Sequence, residues 1–370
     1  MLLPVLQSDG QVLAEVRGTV GLITLNRPAA LNALSLAMIR DLTALLLHWQ
    51  SRDEVHAVVV RGAAREGKAP AFCAGGDIRF FHQAALAGDP RLEDFFTEEY
   101  RLNHLIHHYP KPYIALMDGI TMGGGMGISQ GAACRVVTQH SKLAMPETNI
   151  GLFPDVGGGW FLSRCPGHVG EYLALTGQVL HAAEAITWGL ADVFVPSQAL
   201  PAWLESLCDQ PFEGRAQCIA SARARAEDPG PTHWTAHREA IDRHFSHPSV
   251  AQILASLEQD GTVFASETAQ VLRKRSPLML CVTLEQLRRA RGLPLADDLR
   301  MERDLVRNAF HLRTPQRSET TEGIRALAVD KDHQPRWAPA RVEEVDAAEV
   351  QRFFDSPWPA HAHPLRDLQD

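Results

Sequence analysis

Short strand-like runs alternate with helical patterns over the first two hundred residues, and this alternation limits the possible folds more than any other feature. The runs 12–16, 20–25, 57–61 and 113–117 have residue patterns typical of strands. Between them, Leu36, Ile39, Leu42, Leu46 and Trp49 recur at helical spacing. Alternation of this kind predicts the α/β class.

The pattern changes after about Pro196. Strand signals become rare, and charged helical patterns dominate. These patterns cover 238–245, 250–257, 283–291 and 301–310. We therefore predict a first region over 1–196 and a helical C-terminal region over 197–370.

Composition excludes several classes of protein. The formal net charge of −8 over 370 residues argues against a nucleic-acid binder, and no apolar stretch is long enough to predict a membrane span. The first residues lack the features of a signal or transit peptide. The six cysteines are scattered, without C-x-x-C spacing, which is typical of a reducing compartment. We expect a cytoplasmic protein.

Two glycine-rich segments are candidates for ligand binding. The segment 71–78 contains Gly75-Gly76, and 118–127 contains three consecutive glycines, Gly123 to Gly125. The second segment lies at a predicted strand-to-helix junction, where exposed N–H groups can hold an oxyanion or a phosphate. Taken alone, the first could be an ordinary tight turn and the second a packing contact.

Two carboxylates stand in an otherwise apolar segment. Glu147 and Asp155 lie within 145–159, which is rich in Gly and Pro. Carboxylates in apolar surroundings tend to have raised pKa values and can divide nucleophile and acid/base roles. Capping of turns or helices is the alternative explanation for both residues.

Two further patterns point to other chemistry. Gly127-Ile128-Ser129-Gln130-Gly131 fits G-x-S-x-G, the nucleophile elbow of serine hydrolases. That motif needs its serine directly after a strand, whereas Ser129 falls inside a predicted helix, so we expect no serine nucleophile. His104, His107 and His108 have a spacing that could hold a metal, but we expect surface or packing histidines and no metal site.

The segments together resemble the crotonase (enoyl-CoA hydratase/isomerase) superfamily. The matching motifs are Asn26-Arg27-Pro28 with Leu31-Asn32-Ala33-Leu34, Phe72-Cys73-Ala74-Gly75-Gly76-Asp77, Gly123-Gly124-Gly125 and Pro146-Glu147. The resemblance implies a spiral of ββα units over 1–196 that carries the coenzyme A-binding and catalytic residues. It also implies that the N–H groups of Gly76 and Gly124 form an oxyanion hole for a thioester carbonyl.

Within the superfamily the chain is most similar to the 3-hydroxyisobutyryl-CoA hydrolases. Typical hydratases have a catalytic Glu where this chain has Gly127. The hydrolase-like segments are 119–125, 144–148, 151–159, 173–177, 275–277, 322–326, 330–332 and 335–337. The resemblance makes Glu147 the catalytic carboxylate, gives Asp155 an assisting role and places Glu99 in the substrate pocket. The chain departs from the subfamily at Glu319-Thr320, where an Asp-Phe pair is usual.

The implied reaction is hydrolysis of a short 3-hydroxyacyl-CoA, with 3-hydroxyisobutyryl-CoA, the valine-catabolic intermediate, as the default substrate. Glu147 would attack the carbonyl to give a mixed anhydride or would activate water, and the sequence leaves both routes open. Coenzyme A enters with the substrate, and no separate cofactor is expected. The alternatives are an enoyl-CoA isomerase or hydratase and a non-catalytic CoA-binding protein. The C-terminal region would cover the active site or form the contact of a homo-oligomer.

Overall fold

The structure is a computed structural model that describes residues 3–65, 67–209, 214–232 and 234–370. Residues 1, 2 and 66 of the predicted first region and 210–213 and 233 of the second lie outside the described residues. The chain divides into two compact units, each built from separate segments. The first comprises Met1–Gly76, Arg101–Ala144 and Val179–Thr232, and the second comprises Asp77–Tyr100, Met145–Gln178 and His233–Asp370.

The first unit contains two β-sheets. Their strands are β1 (Val12–Arg17), β2 (Val20–Leu25), β3 (Ala57–Gly62), β4 (Ala71–Cys73), β5 (Tyr113–Met117), β6 (Ile120–Met122), β7 (Cys134–Val137), β8 (Lys142–Ala144) and β9 (Val193–Phe194). The larger sheet has the order β1-β2-β3-β5-β7-β9, and the smaller has the order β4-β6-β8. Only the β1–β2 pair is antiparallel among these neighbours.

Successive strands alternate between the two sheets along the chain. β3, β5 and β7 each enter the larger sheet, and the strand that follows each of them enters the smaller one. Helices come after each such pair. This order confirms both the α/β class and the predicted ββα repeat.

The α-helices account for most of the remaining regular structure. They are α1 (Leu36–Gln50), α2 (Ile78–Ala87), α3 (Arg91–His107), α4 (Gly124–Gln130), α5 (Gly158–Leu162), α6 (Val169–Thr176), α7 (Ala182–Thr187), α8 (Leu200–Cys208), α9 (Arg215–Arg223), α10 (Arg238–Phe245), α11 (Val250–Asp260), α12 (Val263–Arg273), α13 (Pro277–Ala290), α14 (Leu295–His311), α15 (Glu319–Ile324) and α16 (Ala347–Arg352). In the described part of the chain, none combines the length and apolarity needed to cross a bilayer.

The predicted C-terminal helices are present, but two of them begin earlier than predicted. The helix predicted from residue 283 begins at Pro277, because the Ser276 hydroxyl caps it by accepting from Met279 N–H and Pro suits the first helical turn. The helix predicted from residue 301 begins at Leu295. Among the described residues no strand follows β9, while the predicted division near Pro196 stays a prediction.

A continuous apolar core lies against the larger sheet of the first unit. Strand residues such as Leu22, Val59 and Val136 contact apolar side chains of α8, including Trp203 and Leu207. Trp203 is fully buried. This core fixes the larger sheet, while the glycine motifs directly follow β4 and β6 of the smaller sheet.

The second unit has an aromatic cluster of its own. The rings of Phe81 and Phe95 meet edge to face at 4.7 Å between centroids, and Phe96 lies 5.8 Å from Phe310. The ring of Tyr100 contacts Phe96 edge to face at 6.2 Å. Such contacts orient rings as well as burying them, so they fix the direction of the Tyr100 side chain.

Candidate active site

The glycine motifs of the first unit bring two backbone segments close together. Gly75 has a φ of +109°, and a Cβ placed on it would lie 3.7 Å from the backbone nitrogen of Gly124. A Cβ on Gly125 would lie only 2.2 Å from the carbonyl oxygen of Cys73. Glycine is therefore required where these two backbone segments approach each other. This close approach explains the glycines of both motifs better than an isolated tight turn does.

The two amides predicted to form the oxyanion hole lie beside this contact. Gly124 is buried and is the first residue of α4, so its N–H has no partner inside the helix. Gly76 is partly buried and forms an isolated parallel bridge with Leu34. Their positions suit the predicted role, and the role itself stays a prediction.

In the second unit, Glu147 begins a short 3-10 helix, Glu147–Ile150, that Gly151 ends with a φ of +65°. The Thr148 hydroxyl donates to the carbonyl of Leu175 at 3.2 Å and so ties this turn to α6. The Glu147 side chain is only 7% exposed. Among the described residues, its Oε2 atom has no hydrogen-bond partner, so this oxygen of the carboxyl caps nothing.

Asp155 is buried in the same unit and is held by a residue that the sequence analysis did not identify. The hydroxyl of Tyr100 donates to Asp155 Oδ2 at 2.8 Å, and both side chains are buried. Burial raises the pKa of Asp155 to about 6, against the opposing effect of the Tyr100 hydrogen bond. A carboxyl with this pKa can exchange a proton near neutral pH.

Glu99 completes a group of three buried carboxyls. Burial raises its pKa well above the usual range, and the charges of Asp155 and Glu147 raise it further. Burial also raises the pKa of Glu147, with the charge of Asp155 adding to the effect. Like charges close together cannot all ionise easily, so the group retains protons and can both give and accept them.

The run Glu98-Glu99-Tyr100 would ordinarily be a solvated helix face, but Glu99 and Tyr100 are buried. A usable signal was present in α3, because Leu92, Phe95, Phe96 and Ile106 are buried and recur at helical spacing. Glu99 falls on this apolar stripe. A carboxylate in such a position is the signal that would have indicated a buried functional group.

Ser129 lies where the sequence predicted it, within α4 and not directly after a strand. It is fully buried, and its hydroxyl donates to the carbonyl of Met126 at 3.1 Å. This arrangement has none of the exposure that a nucleophile elbow provides.

The departing pair Glu319-Thr320 contacts the Glu147 loop. The Thr320 hydroxyl donates to the carbonyl of Gly151 at 2.7 Å. Glu319 accepts from the hydroxyl of Ser276 and, at 3.0 Å, from Ala338 N–H. Thr320 thus supports the turn that carries Glu147, while the Glu319 side chain bonds to residues outside this turn.

Comparison with known proteins places the chain in a well-populated group. The enoyl-CoA hydratase/isomerase family model matches residues 20–354. The 3-hydroxyisobutyryl-CoA hydrolase of Rattus norvegicus, named as mitochondrial, is 42% identical over 94% of this chain and 89% of its own length.

Two solved structures are similar over nearly the whole chain. One is titled a carnitinyl-CoA dehydratase from Mycobacterium thermoresistibile, with 38% identity, a TM-score of 0.86 and coverage of 97% of this chain and 99% of its own. The other is titled an enoyl-CoA hydratase from Rhodobacter sphaeroides 2.4.1, with 37% identity, a TM-score of 0.84 and coverage of 94% and 98%. The C-terminal region is therefore part of the shared fold.

Proposed function

The chain belongs to the enoyl-CoA hydratase/isomerase family, and we propose that it acts there as a 3-hydroxyisobutyryl-CoA hydrolase. The reaction converts the thioester and water into 3-hydroxyisobutyrate and free coenzyme A. The rat relative carries this name at 42% identity over nearly the full chain. The observation that carries the proposal is the Glu147 carboxyl, which is buried and has an unpartnered oxygen and a raised pKa.

Each of the candidate residues has a distinct role in the proposed hydrolysis. The N–H groups of Gly76 and Gly124 stabilise the oxyanion that develops on the thioester oxygen. Glu147 attacks the carbonyl carbon and expels the CoA thiolate, and water then opens the mixed anhydride; alternatively, Glu147 removes a proton from the attacking water. Asp155 passes a proton during hydrolysis or holds the substrate hydroxyl, and Glu99 binds the substrate.

Hydration and isomerisation are the competing reactions, since the two solved structures carry dehydratase and hydratase names. Position 127 argues against hydration. It is a buried glycine within α4, whereas the resemblance to typical hydratases calls for a second catalytic Glu there. A non-catalytic CoA-binding protein is the remaining alternative, and binding without turnover would indicate it.

The deciding experiment measures free thiol release from 3-hydroxyisobutyryl-CoA by the wild type and by Glu147→Gln. Gln keeps the size of the side chain and removes its acid/base and nucleophilic capacity. We expect rapid release by the wild type and a loss of several orders of magnitude in the variant, while Glu205→Gln, at an exposed carboxylate paired with Arg17, keeps the wild-type rate. Absence of thiol release by the wild type would reject the hydrolase proposal.

The acyl group and the pathway belong to the same proposal. We propose a place in valine catabolism, with 3-hydroxyisobutyryl-CoA preferred over 3-hydroxypropionyl-CoA. Comparison of kcat/KM for the two thioesters tests this preference. No separate cofactor is required by the proposed steps, so exhaustive dialysis with a chelator should leave the rate unchanged.

Location and assembly are also proposals. We propose that the protein works in the cytoplasm, and its six cysteines, none of which forms a disulfide, are compatible with a reducing compartment. Because the rat relative is named mitochondrial and the mitochondrial matrix is also reducing, subcellular fractionation of the native source is the test. We also propose a homo-oligomer, which light scattering would distinguish from a monomer of 40.8 kDa.

A further inference from the structure

The segment that carries Asp155 contains an unfavourable backbone conformation. Val156, directly after Asp155, has a φ of +57°. A β-branched residue is strained in the left-handed region. The conformation persists only if the surrounding structure holds it, and the direction of Asp155 depends on it.

Helix α14 supplies two carboxylates that hold the chain just after this residue. Glu302 accepts from the N–H of Gly157 at 2.7 Å through one oxygen and from the N–H of Gly159 at 2.9 Å through the other. Asp298, one turn earlier, accepts from the N–H of Trp160 at 2.9 Å. Both carboxylates are completely buried.

Helix α13 holds the chain on the other side of Val156. The Gln286 amide donates to the carbonyl of Pro154 at 2.7 Å and to a Glu302 oxygen at 3.1 Å. The strained residue is therefore held through the peptide groups on both sides, Pro154 before it and Gly157 after it. These contacts leave the backbone of Asp155 little freedom.

The glycines after Asp155 fit this arrangement sterically. A Cβ on Gly159 would lie 2.6 Å from Asp298 Oδ1 and 3.2 Å from the Gln286 amide nitrogen. Any side chain at 159 would push the backbone away from both α13 and α14. Within the run Gly157-Gly158-Gly159, the close packing against α13 and α14 therefore requires glycine at 159.

We propose that Glu302 is a positioning residue that aims the Asp155 side chain through its hydrogen bonds to Gly157 and Gly159. This inference rests on the proposed hydrolase function for the role of Asp155 in the reaction. Glu302 has no part in bond making or breaking. A carboxylate is suited to the task because each of its two oxygens accepts from one of the two N–H groups, whereas an amide side chain offers one acceptor oxygen.

The cost of burial agrees with a specific role. Burial raises the pKa of Glu302 well above its usual range and that of Asp298 to about 7. A buried carboxyl pair is an expensive way to support a loop, because apolar packing of similar volume is often as stable. Such packing cannot provide three carboxylate oxygens that accept from the backbone N–H groups of one loop.

The test uses Glu302→Gln in two measurements on the full chain. The first is hydrogen exchange of a peptide covering 154–162. We expect its amides to exchange at least tenfold faster in the variant, while a peptide from α6 is unchanged. Exchange at the wild-type rate overturns the proposal whether or not the protein is a hydrolase.

The second measurement separates positioning from general stability. Misplacing a reacting group by about 1 Å can cost up to a hundredfold in rate, so we expect Glu302→Gln to lower kcat roughly ten- to hundredfold with little change in KM. In an Asp155→Asn background the same change should cost less than about twofold, because the group that it positions is already gone. Equal losses in both backgrounds would show a merely structural role and overturn the proposal.

Two further variants complete the design. Gln286→Met removes the bonds to Pro154 and Glu302 but leaves the Glu302 carboxylate, and it replaces Glu302→Gln in both measurements if that variant does not fold. Asp297→Asn is the matched control, since Asp297 lies on α14 but pairs with Arg300 at the surface. The control should match the wild type in exchange and rate. If the wild type releases no thiol, the proposed function fails, and the exchange measurement still decides whether Glu302 holds the loop.

Discussion

The Tyr100 hydroxyl donates a 2.8 Å hydrogen bond to Oδ2 of the buried Asp155. This bond favours the ionised carboxylate, whereas burial favours the neutral form. Removing the donor in Tyr100→Phe should therefore raise the pKa of Asp155. If ionised Asp155 assists hydrolysis, the acidic limb of the pH dependence of kcat/KM moves to higher pH, and the rate near pH 6 falls roughly tenfold or more, as expected for a hydrogen bond to a charged group.

Tyr109→Phe is the control for this change. The Tyr109 hydroxyl donates to the carbonyl of Leu46 at 2.7 Å in the first unit, so its loss removes a comparable bond without touching the carboxyl group. Its pH profile should match that of the wild type. A profile for Tyr100→Phe that lowers the rate equally at every pH would argue against a role through the Asp155 pKa.

Asp155→Asn should stabilise the fold at neutral pH while it impairs activity. Burial raises the pKa of Asp155 from its usual 3.8 to about 6. Because the pKa is higher in the folded state, the neutral carboxyl stabilises the fold relative to the ionised one. This contribution to the free energy of unfolding is fully present below about pH 4 and is lost as the pH rises through about 6. The gain from Asn should therefore be near zero at pH 4 and reach at most about 3 kcal/mol above pH 7. Urea unfolding at the two pH values measures it, and a gain that is larger at pH 4 would contradict this assignment.

The alternation of strands and helices and the glycine and carboxylate motifs could be predicted because these are local patterns, whereas the ββα order came from the family resemblance. Val20–Leu25 and Tyr113–Met117 were predicted with the bounds that the structure shows. Tyr100 and Glu302 could not be found this way, because their roles depend on contacts across 55 and 145 residues of chain. A Tyr beside two acids and a Glu in a charged helix are each typical of a solvated surface until tertiary contacts bury them.

Glu99→Gln should affect substrate binding more than the chemical step. The raised pKa of Glu99, due first to burial and then to the charges of Asp155 and Glu147, favours the neutral form of this carboxyl. Gln is close to it in size and charge, so the fold should be retained. We expect KM for the 3-hydroxyacyl substrate to rise roughly tenfold, as for one lost hydrogen bond, with kcat reduced less. Steady-state kinetics test this, with the neighbouring Glu98→Gln as the control, and a selective loss of kcat would instead give Glu99 a part in the chemistry.

Gly75→Ala should damage catalysis through the Gly76 amide. At a φ of +109° an alanine is strained, and relaxing the strain rotates the peptide whose N–H belongs to Gly76. Loss of one oxyanion donor typically lowers kcat by about 10²–10³. Gly10→Ala is the matched control, because Gly10 also has a positive φ of +78° but no atom within 4 Å of the added methyl group. The Gly10→Ala variant should keep the wild-type rate. If Gly75→Ala keeps it too, the Gly76 amide is not an oxyanion-hole donor.

Thr320→Val tests the support of the Glu147 turn by the residue that departs from the subfamily pattern. Val keeps the shape of Thr but leaves the buried carbonyl of Gly151 without the 2.7 Å bond that it now accepts. An unsatisfied buried acceptor costs about 1–3 kcal/mol, so the urea midpoint should fall with no change in slope. Because Gly151 ends the helix that Glu147 begins, kcat should fall as well.

Two variants serve as controls. Thr320→Ser keeps the hydroxyl and should retain most of the rate. Thr187→Val, at an exposed hydroxyl bonded to Ala183 within α7, should leave the urea midpoint and kcat unchanged. If Thr320→Val unfolds at the wild-type midpoint, the hydroxyl contributes nothing to this turn, and the departure at 319–320 needs another explanation.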